Sequence, residues 1–261
     1  MTDEGIPLAA AMAWPRRGGF WRRFLASFID YLVVLIPLYF VVAGLFALTD
    51  GGVKGHFWLF LRICSSAKVH GGPSLGRYDW QVCKSSLFGF PVADWAVGTA
   101  KETQSAKPET VSIDLNSKGN FRPTALDLGF LQVPALAIYL LLMEMASGRS
   151  VGKRALVLVV YDENDWQRRG LPLRKAFRRQ VIKFLGTFPV VLTGAWFAFQ
   201  TWGSFPRPAP SNAWLEFVPA LVAIGLSLVW PVWIGITIAL GNEPIHDRVA
   251  GTTVRTRETH E

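Results

Sequence analysis

A chain of 261 residues, 51% hydrophobic and 13% aromatic, with a formal net charge of +8 at pH 7, could bury a sizeable core. It also holds several apolar runs near twenty residues, the length that a bilayer's hydrocarbon core demands of a helix. The basic excess therefore reads as Lys and Arg held on the cytoplasmic side of a membrane. A nucleic-acid partner is not expected, because no nucleic-acid motif in a defined fold context accompanies the charge.

Residues 1–23 are a basic N-terminal segment carrying Arg16, Arg17, Arg22 and Arg23. Residues 24–48 are the first predicted span, broken only by Asp30 and Pro37. Its apolar part is longer than a signal-peptide core and contains an aspartate, so it reads as retained. Residues 49–125 follow as an outer insertion. There "RYDWQVCKSSLFGF" mixes aromatic and β-branched residues, and "TVSIDLNSKGNF" alternates before an Asn-Ser-Lys-Gly turn, which predicts a small β element. A segment this small rarely holds together by core alone. Cys64 and Cys83 match no C-x-x-C metal or redox spacing. A bridge between them would close a loop of roughly twenty residues, worth about 3 kcal/mol. The alternative is two unpaired thiols; an oxidising compartment favours the bridge.

Residues 126–147 are the second predicted span, with Asp127 at one end and Glu144 near the other. Residues 148–180 are a basic loop, 181–202 the third span, 203–216 a short outer loop, 217–240 the fourth span and 241–261 a tail. Pro37, Pro134, Pro189 and Pro231 do not veto these spans, since neighbouring helices can satisfy the freed carbonyls. Basic residues crowd the N-terminal segment, the 148–180 loop and the tail, so these three should lie in the cytoplasm, with both termini inside. Trp58, Trp95, Trp202 and Trp214 near the outer ends fit an aromatic belt. The expected fold class is all-α membrane: a four-helix transmembrane bundle with a small extracytoplasmic, β-containing insertion between helices 1 and 2.

"GRSVGKR" invites comparison with a phosphate-binding loop. That loop needs four residues between its glycines and a hydroxyl after its lysine. Here three intervene, Arg154 follows Lys153, and "ALVLVVYD" continues as a strand-like stretch, so no helix is expected to open. The segment reads either as a glycine-turned basic loop touching anionic lipid headgroups or as a loop with a specific role in pairing with acidic groups. "LPLRKAFRRQVIKFL" sets Arg174, Arg178 and Lys175, Arg179 at i,i+4 spacing beside Leu173, Phe177 and Val181, which predicts an interfacial helix.

An ionised carboxylate at mid-membrane costs ~2.5–3.5 kcal/mol on insertion scales, so Asp30 is expected to face the bundle and find a cation. Glu144, Glu243, His246 and Asp247 fall on the same predicted cytoplasmic side. Arg22, Arg23, Arg149, Lys153 and Arg154 are the available cations. The expectation is a ring of charges, serving as a structural clamp or as part of an ion or proton path. His56, His70, His246 and His260 form no ligand spacing, and no nucleophile has an evident base. No catalytic, cofactor or metal residues are therefore nominated, and an enzyme is not expected.

The charged segments resemble the RDD family of bacterial membrane proteins, named for an arginine and two aspartates. "GFWRRFLASFID" is similar to the family's opening motif, which implies Arg23 and Asp30. "GRSVGKRALVLVVYDENDWQRRGLPLRKAFRRQ" resembles the central stretch, where Gly148, Gly152 and Lys153 match. "HDRVAGTTV" resembles the closing motif, implying Asp247, then Gly251 and Thr252. The resemblance implies a multi-pass protein of the bacterial cytoplasmic membrane. Some members are linked to cation transport, so a transport-related role is one expectation. The other is a scaffold or accessory subunit organising membrane partners, or copies of itself, through its outer segment and basic loop.

Overall fold

A computed structural model describes residues 16–58, 61–66, 69, 78–87, 89–100, 110–201 and 213–257. His70, His260, Trp202 and nearly all of the 203–216 loop lie outside the described residues. The chain divides into two compact units. One comprises described residues 16–33, 137–185 and 229–257, the other 34–136 and 186–228.

The elements run in the order α1 (Phe20–Leu48), β1 (Val53–Lys54), β2 (Leu61–Ser66), β3 (Tyr78–Leu87), β4 (Phe90–Ala100), β5 (Thr110–Leu115), β6 (Phe121–Arg122), β7 (Leu126–Asp127), α2 (Gln132–Ser147) and α3 (Val151–Ala155). Then come β8 (Leu158–Asp162), α4 (Leu173–Lys183), α5 (Phe188–Thr201), α6 (Ala213–Ala239), α7 (Ile245–Ala250) and β9 (Thr252–Thr256). The expected all-α four-helix bundle is therefore overturned. The described strands form three sheets, and among the described residues three helices are long and apolar enough to cross a membrane: Phe20–Leu48, Gly129–Ser147 and Val218–Ala239.

The expected third span breaks for a local reason. Val181–Lys183 belong to α4, whose buried face includes Arg179 and Gln180. A 3-10 turn, Leu185–Thr187, separates it from α5. Pro189 lacks an N–H and sits in the first turn of α5, where a proline is tolerated, so the helix starts afresh there. At 14 described residues, α5 rises about 21 Å at 1.5 Å per residue, short of a ~30 Å hydrocarbon core.

In the second unit, the strand order β2-β3-β4-β5-β6 is antiparallel throughout. Alternation sorts its two faces. Val82, Ala96, Ile113 and Leu115 build one buried cluster, and Cys83, Ala93 and Trp95 another. Cys64 and Cys83 face each other across β2 and β3 and form a disulfide. Trp95 is buried beneath the Arg62 guanidinium and against His56, so it belongs to this core rather than to an aromatic belt. Trp58 is exposed.

In the first unit, β8 from the 148–180 loop pairs antiparallel with β9 from the tail. Their buried Leu158, Val160 and Val254 pack with Ala26, Leu171 and Ala176. This ribbon ties the basic loop, the tail and the start of α1 into one body, and it positions the site.

Candidate functional site: a buried charged layer

Asp30 is buried on α1, yet no Lys, Arg or His among the described residues comes within ion-pair distance of it. The expectation that a cation answers its charge is corrected. Its carboxylate instead accepts hydrogen bonds from the Ser150 hydroxyl, from the Gly152 N–H at 2.8 Å and from the Tyr139 hydroxyl at 3.2 Å.

The local sequence explains the arrangement. Ser150 is the N-cap of α3, with its side chain accepting from Lys153 N–H. The first N–H groups of a helix have no intrahelical partner, so an acceptor set there satisfies them. Gly152 makes the approach feasible: a Cβ at that position would collide with the backbone carbonyl of Ala26 on α1. "GRSVGKR" thus does open a helix, contrary to expectation, and the group it holds is the chain's own Asp30. The wrong glycine spacing and the missing hydroxyl after Lys153 still separate it from a nucleotide loop.

Glu144 and Asp247, both fully buried, are answered by cations. Lys153 Nζ lies 2.7 Å from Glu144, and Gln180 donates to the same carboxylate at 2.8 Å. Arg23 Nη1 lies 3.2 Å from Asp247 and its Nη2 3.5 Å from Glu243, while its remaining donors reach the carbonyls of Gly18 and Val254. Arg179 joins the two acids: its Nε lies 3.2 Å from Glu144, and its Nη1 pairs with Asp247 and donates to Thr252. An Arg fork is suited to bridging two carboxylates in this way.

His246 is buried beside Asp247, its Nε2 3.4 Å from the carboxylate. Burial, with Arg179 next to it, pushes its pKa well below the usual 6.5, so the imidazole is neutral near pH 7. Burial raises the Asp247 carboxyl above its ordinary value, while Arg179 and Arg23 act against that shift.

Of the residues nominated from sequence, the structure brings Arg23, Glu144, Lys153, His246 and Asp247 into this layer, with Asp30 beside it on neutral donors. Among the described residues Arg149 contributes no ion pair, and Arg154 donates to the Ser147 hydroxyl. Arg22 is exposed. Sequence reasoning missed Arg179, Gln180, Tyr139, Ser150 and Thr252 as members. A signal for the first two existed: Ala176, Arg179 and Gln180 stand at i, i+3, i+4, one helical row, and the small alanine marks the side that packs.

Among the described residues, no group of three or more His, Cys, Asp or Glu side chains could hold a metal ion. No curated protein and no solved structure matches the chain. The RDD family model, by contrast, matches residues 17–251, from Arg17 ahead of α1 to the glycine that follows α7, and takes in every charged side chain of the layer. The chain therefore belongs to the RDD family, and is a membrane protein by that membership and by its three apolar helices.

Proposed function

We propose that the protein is a non-enzymatic module of the bacterial cytoplasmic membrane, whose charged layer locks helix ends together instead of passing ions. The carrying observation is Arg179 shared between two fully buried carboxylates, Glu144 and Asp247. A group that relays protons must exchange between charged and neutral forms, whereas Glu144, set between Lys153 and Arg179, has two cations favouring its charged form. Partner proteins or a second copy of the chain would be met through the five-stranded sheet.

The segments at 16–23, 148–180 and 241–257 fall within one compact unit and carry most of the basic residues near helix ends. That supports a cytoplasmic position for them and for both termini. Leu173, Arg174, Phe177 and Arg178 are exposed on α4, which supports contact with anionic headgroups.

A second reading, proton- or cation-linked transport, draws on Asp30, whose partners are all neutral donors. Purified protein in vesicles with a pH gradient, challenged with sodium, potassium and lithium in turn, tests both readings. The lock expects gradient decay no faster than in protein-free vesicles. Cation-driven collapse that disappears in a folded Asp30→Asn variant would replace the lock with the transport reading.

A further inference from the structure

A cavity of about 160 Å³ opens where α6 gives way to α7, lined by Trp233, Ile234, Thr237, Glu243, Ile245 and Arg248. It is too small for a drug-sized ligand, which needs a pocket of roughly 300 Å³ or more, yet it has room for several water-sized groups at about 30 Å³ each. All six residues belong to the first unit.

Three observations identify what it would take. First, α6 is a membrane-length apolar helix that is largely unburied, and Val232, Trp233, Ile236 and Leu240 near its end are exposed. Acyl chains and the interfacial zone are the natural surroundings of such a surface, and a Trp there is typical of the headgroup level. Second, Arg248 is exposed and its side chain makes no ion pair or hydrogen bond within the described residues. A guanidinium at that level matches a phosphate with two parallel hydrogen bonds. Third, the same cavity has an acid. Glu243 is only partly engaged, by Arg23 at 3.5 Å, Arg17 at 3.7 Å and the Thr253 hydroxyl at 2.9 Å.

We propose that this cavity is a headgroup slot for a phospholipid carrying a primary amine, with its phosphate on Arg248, its ammonium on Glu243 and its glycerol end along Trp233 and Ile234. The opposite charges of the two side chains match a zwitterion. An anionic glycerol headgroup offers nothing cationic to Glu243. A quaternary ammonium carries no N–H and could not hydrogen-bond the carboxylate. The inference does not depend on whether the charged layer locks or conducts.

Native mass spectrometry of the full chain, delipidated and then exposed to equimolar phosphatidylethanolamine, phosphatidylcholine and phosphatidylglycerol, reads it directly. Phosphatidylethanolamine should be retained about fivefold over either competitor, the size of one partly screened ion pair. Arg248→Gln, an exposed position whose loss should leave the fold intact, should lower retention of all three lipids together, because each carries the phosphate. Glu243→Gln, where it folds, should equalise phosphatidylethanolamine and phosphatidylglycerol. Equal retention of the three lipids by the native protein would overturn the proposal. So would unchanged retention of the three lipids in Arg248→Gln with a native melting profile.

Discussion

Asp30 and Glu144 are both buried acids on apolar helices, but their surroundings differ in kind. Asp30 rests on hydroxyls and one backbone N–H; Glu144 rests on Lys153, Arg179 and Gln180. Removing a charge therefore has different costs at the two sites. Asp30→Asn keeps an acceptor for the Gly152 N–H and should lose about 1.5–3 kcal/mol, the scale of a hydrogen bond to a charged group. Glu144→Gln strands the buried Lys153 ammonium, leaves Arg179 with Asp247 alone, and should lose about 3–5 kcal/mol. Gly152→Ala pushes a methyl into the Ala26 carbonyl and should lose about 1–3 kcal/mol through overpacking. Denaturant midpoints in detergent would rank the three. An Asp30→Asn loss as large as that of Glu144→Gln would mean that a cation does reach Asp30.

At the scale of one element, β4 carries a liability in its middle. Asp94 is buried, its Oδ1 has no hydrogen-bond partner among the described residues, and Lys84 sits across from it on β3. Burial pushes its pKa up from 3.8 to about 6, with Lys84 acting the other way. A carboxyl whose folded value is raised favours folding when protonated, so its contribution is fullest below pH 3.8 and is lost as pH rises through about 6. A shift of this size corresponds to about 3 kcal/mol between the two ends of the window. Asp94→Asn should thus stabilise the five-stranded sheet at pH 7 by about 1–3 kcal/mol and flatten its pH dependence between about 4 and 6. Hydrogen exchange of the β4 amides at pH 5 and 7 would show it; identical protection of native and variant chains at pH 7 would contradict the account.

For the whole molecule, sidedness is the quantity to establish. The Cys64–Cys83 disulfide is expected to persist where the surroundings are oxidising, and the basic unit where anionic lipid and positive-inside bias hold it. Impermeant thiol reagent on intact cells should leave both cysteines unmodified until a reductant is added. Reporter fusions near Glu163 should behave as cytoplasmic, and fusions near Thr110 as external. A cytoplasmic signal at Thr110 would contradict an external placement of the five-stranded sheet.

Long apolar runs, strand alternation and the "GFWRRFLASFID", "GRSVGKR" and "HDRVAGTTV" segments were legible in the sequence because each is a local pattern. Hydrophobic length announces a span, alternation announces a strand, and a charge inside an apolar run announces a buried site. What answers each charge was not legible, because partners are brought together from separate elements, from 9 residues apart for Lys153 and Glu144 to 224 for Arg23 and Asp247. Ser150 and Gly152 reach Asp30 only through the approach of α3 to α1, and Arg179 turns inward because Ala176 lets α4 pack closely. The extent of the third apolar run was likewise decided by packing: burial of Arg179 and Gln180 claims its first residues for α4. Composition determined that this is a chain for a membrane, since twenty apolar residues in a row have no better solvent. Tertiary structure alone decided which charges neutralise one another, because a desolvated carboxylate takes whichever donor the backbone brings within about 3 Å.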